Sequence, residues 1–358
     1  MPVSSDVTVV GAGIIGLSTA IAAAKRGLSV TIVGDQRAGE ASSAAAGMLA
    51  PSVERATGAA HDFAIAARNR YPAYIEEIAE QTGIRVPLNQ LGILQVALTE
   101  AGVNGLRRSA FPTAEWLDRS ALSAAEPTLG HALGAMLNPD DGAVDNVTLM
   151  RALAALADAS PLVTRMEGTV VRVRTDGTSS PRVELADGTM RTAAFLVIAG
   201  GAWVSLIEGV PLLGAVTPAR GQLVAYDSIG LRHVVYGPRG YLVPRVGLQT
   251  IGGSTMENVG FDPATTDEGL ARVRSSSEQI APALSITPMQ RSWAGLRPVT
   301  PDLLPIIGPD PEHASVVYAC GHSRNGILLA PLTADVVASL IAGEQVAYDL
   351  SQFRPDRF

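Results

Sequence analysis

Residues Val7–Val33 read VTVVGAGIIGLSTAIAAAKRGLSVTIV, and this stretch decides the fold. Val7–Val10 is a β-branched run suited to a buried parallel strand. The spacing predicts a helix over Ile14–Arg26, where the residues are alanine-rich, stopped by Gly27; Val30–Val33 then reads as a second strand. Between strand and helix lies GAGIIG. Gly11 allows the tight turn, Gly13 lets backbone approach a pyrophosphate, and Gly16 lets the helix pack on the sheet. The helix N-terminus, including Ile14 and Ile15, offers unpaired N–H groups and a positive dipole end to phosphates. A strand–turn–helix–strand with this spacing predicts a dinucleotide site. The acid usual at the end of the second strand is absent: Gly34 stands there, with Asp35 after it. Asp35 either takes over the ribose or is a solvated turn residue.

The whole chain sets the limits. At 358 residues it holds roughly two or three domains' worth of material, and 47% hydrophobic against 17% charged residues excludes disorder. Mean hydropathy is +0.23. A net charge of −7 gives no basic footprint for nucleic acid or an acidic membrane surface. A small-molecule partner is therefore expected. Val7–Ala24 is uncharged and long enough to be mistaken for a membrane span or signal core, but three glycines break it and the earliest charge is Asp6 rather than a basic start. Cys320 is the single cysteine, so no internal disulfide or cysteine metal site forms, which suits a reducing cytosol; the five histidines lack metal-ligand spacing. The expectation is a cytoplasmic protein without metal or membrane attachment, with homo-oligomerisation left open.

The next segment chooses the dinucleotide. A nicotinamide enzyme would continue with another crossover helix, whereas here Ala41–Gly47 is a run of small residues that lets backbone lie against a flat ligand, with Ser42 and Ser43 as hydroxyl and N–H donors. EASSAAAGMLAP, placed just after GAGIIG, resembles the flavin-binding segment of the D-amino acid oxidase superfamily, and its glycine oxidase branch in particular. The resemblance implies FAD contacts at Ala45, Ala46, Gly47 and Met48. Gly168–Gly201 reads as three strands with turn signals at Asp-Gly pairs, ending in a double glycine; the resemblance places Val170 near the adenine and Gly200, Gly201 and Trp203 against the cofactor. SVVYACGHSRNGILLAP reads as a strand, a glycine turn and a helix from about Ile327 to Ala342, stopped by Gly343. A helix N-terminus there would stabilise the negative charge of reduced flavin. GHSRNG is similar to the family's flavin-contacting turn, which implies contacts from Gly321, His322, Arg324, Asn325, Gly326 and Ile327. His322 is equally readable as a locally hydrogen-bonded histidine, and Asn325 as a plain helix cap.

SWAGLRPVTPDLLPIIG contains Arg297, whose guanidinium fork suits a substrate carboxylate; Pro298 favours an extended backbone there. The segment resembles the family's carboxylate-binding strand. By the same resemblance Tyr241 adds a hydroxyl to that carboxylate, and Met256, Met48 and Arg239 line the substrate pocket, Arg239 replacing a histidine found in some glycine oxidases. Cys320 is not where sarcosine oxidases attach their cofactor, so noncovalent FAD is implied.

The fold implied is α/β: a doubly wound, Rossmann-type FAD domain (1–84, 140–215, 291–358) interleaved with an antiparallel-sheet substrate domain (85–139, 216–290). The implied activity is oxidation of glycine, sarcosine or a small D-amino acid to the imine, with hydride passing from Cα to flavin N5 and O2 reduced to H2O2. In this family the imine can feed thiazole synthesis for thiamine. A dehydrogenase using a quinone or carrier, and a non-catalytic flavin- or nucleotide-binding protein, are the alternatives.

Overall fold

The computed structural model describes residues 5–54, 56–175, 180–210, 214–245 and 248–358. The Asp176-Gly177 turn read from the sequence lies outside them.

The opening stretch folds as strand Ser5–Val10, helix Ile14–Ala24 and strand Val30–Val33. The helix closes at Ala24, two residues before Arg26, and Gly27 follows at φ +81°. Five parallel strands lie in the order Val163–Met166, Val30–Val33, Ser5–Val10, Met190–Ile198, Val316–Cys320. Alternation sorts their side chains to two cores. Val7, Val9, Val30, Ile32, Val197, Val317 and Ala319 face one core, formed with helices Ile14–Ala24, Asn146–Ala159 and Gly326–Ala342. Val10, Val33, Leu196, Ile198, Val316, Tyr318 and Cys320 face the other. That second face is covered by the strands Val170–Arg174 and Arg182–Leu185 and by a short 3₁₀ turn, Gly201–Leu206. The second Asp-Gly signal is realised: Gly188 turns at φ +83° between Arg182–Leu185 and Met190–Ile198.

A second eight-stranded sheet runs in the order Met289–Val299, Thr217–Asp227, Gln249–Gly253, Tyr241–Arg245, Val234–Tyr236, Ile93–Ala97, Gly134–Asn138, Glu115–Asp118. All neighbours are antiparallel except Ile93–Ala97 with Val234–Tyr236. From Arg291 on, the edge strand Met289–Val299 falls in the stretch that the sequence division places with the nucleotide-binding unit. One face of this sheet packs Val224, Tyr226 and Leu242 against Val273 and Ile280 of helix Asp267–Ile280. The other, carrying Leu223, Tyr241, Val243 and Ile251, packs against Ala46, Ala50 and Val53. Among the described residues no helix is long and apolar enough to cross a membrane.

Helix Ile14–Ala24 approaches the sheet at Gly16, where an added Cβ would sit 1.9 Å from the Gly11 carbonyl oxygen. Gly16→Ala should therefore cost about 1–3 kcal/mol of overpacking, measured as a lower denaturation midpoint by urea titration.

Candidate active site

One cavity opens between the C-terminal ends of the parallel strands and the face of the second sheet. It is built from backbone at one end and from charged side chains at the other.

At the backbone end, Gly11 turns at φ +110°, and a Cβ there would lie 2.4 Å from the Ala199 carbonyl oxygen. Gly13, Ile14 and Ile15 line the cavity, and the Ser42 hydroxyl accepts the Ile14 N–H at 3.0 Å. The Gly13 N–H takes no acceptor among the described residues. A second helix, Gly326–Ala342, opens its N-terminus on the same cavity through Asn325, Gly326 and Ile327. Two positive dipole ends thus converge on one space. Asn325 occupies the N-cap without a side-chain cap bond.

Gly34 has a steric reason. A Cβ there would stand 2.9 Å from the Ala12 nitrogen and 3.2 Å from its Cβ, so the strand end passes too close to the glycine turn for any side chain. The next residue, Asp35, lines the cavity and accepts the Thr169 hydroxyl. Arg37 donates to Thr169 Oγ1 at 3.1 Å and stacks 5.4 Å from the Trp203 ring centroid. Val170, Gly200, Gly201 and Trp203 complete this end, with Ser42, Ala45, Ala46, Gly47 and Met48 along the wall.

At the charged end, period-two alternation turns Gly221, Leu223, Gly295, Arg297 and Tyr241 toward the cavity. Arg297 lies on strand Met289–Val299, in the extended conformation expected before Pro298. Its guanidinium donates to Ser254 Oγ at 2.7 Å and to the Thr255 carbonyl at 3.1 Å. These two bonds orient the fork and leave other N–H groups free for a ligand. Space for it exists because residue 221 is glycine: a Cβ there would lie 2.0 Å from Arg297 Nη1. A Cβ on Gly253 would likewise lie 2.6 Å from the Tyr241 hydroxyl. Burial lowers the Arg297 guanidinium's pKa; Arg324 adds to this, while Tyr241 and Glu54 oppose it. An anion entering the cavity would relieve this unmatched buried cation.

Arg324 belongs to the same end. It pairs with Glu54 at 2.8 Å and with the Tyr236 hydroxyl at 2.6 Å. Burial raises the Glu54 pKa against the pull of Arg324 and Arg297. Glu54 is held there from behind, because Ser52 on its short helix donates both N–H and hydroxyl to the buried Asp141 at 3.1 Å, and Arg68 pairs with Asp141 at 2.9 Å. His322 lines the turn, its Nε2 3.2 Å from Thr333 Oγ1; burial drops its pKa to about 3, so the ring is neutral. Burial pushes the Cys320 thiol up to about 12.

Four residues singled out in the sequence stand off the cavity wall. Gly16 is beneath it, at the helix–strand contact. Ser43 is exposed, because the short helix Ala41–Ala44 turns its side chain outward. Met256 is 52% exposed beyond the end of strand Gln249–Gly253, and Arg239 is exposed in the turn before Tyr241. Neither lines this cavity, where both were expected. Glu54, Tyr236, Ser254, Thr169 and Arg37 went unnoticed in the sequence. Each is a common surface residue type, and its role depends on a partner at least 42 positions away, so no local pattern marks it.

Gly221→Ala should displace the Arg297 guanidinium and weaken binding of a small carboxylate such as acetate by about 1.5–3 kcal/mol, the worth of a hydrogen bond to a charged group. Isothermal titration of folded variant and parent decides it.

The glycine cradle and the paired dipole ends suit a dinucleotide, and the buried arginine suits an anion beside it. The family of FAD-dependent oxidoreductases designated DAO matches residues 6–340. The bifunctional protein ThiO/ThiG of Synechocystis sp. is 35% identical over 369 residues, covering all of this chain, which spans only 55% of that relative's length. The glycine oxidase of Geobacillus kaustophilus is 34% identical, with 97% of this chain and 96% of that protein covered. The crystal structure of glycine oxidase from Geobacillus kaustophilus superposes with a TM-score of 0.90 at 33% identity, covering 99% of both chains. A chain with this cradle and a match along nearly its whole length belongs to the DAO family of FAD-dependent oxidoreductases, and FAD is the cofactor for which its cavity is built.

Proposed function

We propose that this protein oxidises a small amino acid, glycine, sarcosine or a small D-amino acid, to the imine, and that O2 receives the electrons as H2O2. The observation that carries the reading is the buried Arg297, with its partly open fork and Tyr241 beside it, on the wall of the FAD cavity. Bound noncovalently, FAD would supply the redox chemistry, as a two-electron acceptor for the substrate Cα–H that oxygen can regenerate.

The chain's own contribution is positioning. Residues Gly11, Gly13 and the two helix N-termini cradle the pyrophosphate and the flavin's negative charge. Asp35, oriented by Thr169, takes the ribose in place of the acid missing at position 34. Arg297 grips the substrate carboxylate in a water-poor wall, where a charge-assisted pair is worth more than at the surface. Ser254 and Thr255 prevent the fork from rotating away, and Tyr241 adds a second donor. Holding the carboxylate in this way fixes the bearing of Cα, which is most of what such an oxidation asks of a protein. Because Glu54 already neutralises Arg324, the charged end of the cavity offers one uncompensated cation, Arg297, which favours a substrate with a single carboxylate. The Synechocystis relative's name and the glycine oxidase relatives support glycine as substrate and imine supply to thiamine synthesis as its use.

Arg297→Ala should raise KM and lower kcat/KM by about 2–4 kcal/mol in transition-state terms while the protein stays yellow. Steady-state kinetics beside the visible spectrum read both. Unchanged KM would remove the anchor from this account. Glycine, sarcosine, D-alanine, D-proline and their L-counterparts, tested by anaerobic flavin bleaching, assign the substrate. Peroxide measured against imine in air separates an oxidase, for which the ratio is one to one, from a dehydrogenase.

A further inference from the structure

The small-residue segment along the cavity is held by its carbonyl groups, and the side chains that donate to them lie behind it. Asn146 Nδ2 donates to the Ser42 and Ser43 carbonyls at 2.8 and 3.3 Å. Trp293 Nε1 donates to the Ala44 carbonyl at 2.9 Å, and Arg245 Nη2 to the Ala46 carbonyl at 3.1 Å. None of these three donor residues lines the cavity, although the segment does. Arg245 is 8% exposed and Asn146 fully buried. Arg245 Nη2 also donates to Asn146 Oδ1 at 2.6 Å and Nη1 to the Val144 carbonyl at 2.8 Å, so the two side chains form one unit.

A trans peptide is planar, with its C=O and N–H pointing in opposite directions. Drawing the Ala46 carbonyl back toward Arg245 therefore turns the Gly47 N–H forward, toward the cavity. That N–H takes no acceptor among the described residues. Gly47 is needed at this point: φ is +78°, and a Cβ would lie 2.0 Å from the Val144 carbonyl oxygen. Arg245 ends the strand Tyr241–Arg245, so one rigid element carries both a carboxylate-side hydroxyl and the clamp on the segment. The two lie four residues apart, about 13 Å along a strand.

We propose that Arg245 and Asn146, assisted by Trp293, are positioning residues that hold the Ala46–Gly47 peptide with its N–H toward the bound flavin. They thereby set the flavin's potential and its rate of reduction, not the affinity for substrate. The proposal rests on the cavity holding FAD and not on the identity of the substrate. A donor aimed at the flavin favours the reduced, more negative form, so loosening the clamp lowers the midpoint potential.

Asn146→Leu tests this, because the new side chain is of similar shape, adds no charge, and can no longer donate to the Ser42 and Ser43 carbonyls. Arg245→Lys keeps the charge but loses the fork. In both holoproteins the midpoint potential, measured against a reference dye, should fall, and the visible circular dichroism of the flavin should change. The anaerobic reduction rate at saturating glycine should drop on the order of 100-fold, with half-saturation within about twofold of the parent. A merely structural role would lower thermal stability and FAD occupancy but leave the potential, spectrum and rate of the loaded fraction unchanged; that result overturns the proposal. Should Arg245→Lys or Asn146→Leu fail to fold, Trp293→Phe, which keeps the ring and loses one donor, supplies the same readouts, and parental values in every variant that folds overturn the proposal. Potential and dichroism need no substrate, so failure to oxidise glycine is a separate outcome that counts only against the function proposed above.

Discussion

Ala41–Gly47 must lie thin and flat where two sheets meet, and much of the site follows from that constraint. On one side is the glycine turn, with Gly13 so near that an added Cβ would touch Ser42 Oγ at 3.1 Å; on the other is Gly295, whose Cβ would come within 2.5 Å of Ala44 Cβ. At positions 42 and 44, side chains larger than serine or alanine would force the sheets apart. A segment without bulk has few apolar contacts to hold it, so it is tied down by hydrogen bonds to its carbonyls from Asn146, Trp293 and Arg245. The arrangement leaves N–H groups and methyl groups as its face toward the cofactor.

Glycines on the second sheet meet a related need. Gly221 makes room for a guanidinium and Gly253 for a phenol hydroxyl, so Arg297 and Tyr241 lie flat against the strands beside them instead of filling the cavity. Burying a cation is costly without partners, and here it has two neutral acceptors, Ser254 and Thr255, instead of a carboxylate. The nearby Arg324 is treated differently, with Glu54 as its ion-pair partner. Of the two arginines at the charged end of the cavity, only one is left to seek an anion. That asymmetry gives the site its direction.

Much of this was legible along the chain, because it depends on near neighbours. The strand, glycine turn, helix and second strand of Val7–Val33 are set by β-branched runs, alanine content and three glycines within a six-residue span, and the structure realises them with ends shifted by at most a few residues. The helix before Gly343 and the extended backbone at Arg297 are local in the same sense. Gly34 appeared as a missing acid; its cause, the approach of Ala12, is visible only in space. Met256 read as a pocket residue and is exposed, because its direction depends on how the chain leaves the strand end at Gly253.

The sequence by itself determined the dinucleotide unit, the small-residue segment and the candidate anchor, since turn geometry, helix propensity and guanidinium chemistry are properties of short stretches. Only the tertiary structure decided which charges meet. It brought Glu54 to Arg324 across 270 positions, Ser254 to Arg297, Thr169 to Asp35, and Arg245 to the back of Ala46. Each of these is a contact between distant segments, and their energies come from burial and distance, which are quantities a linear sequence does not contain.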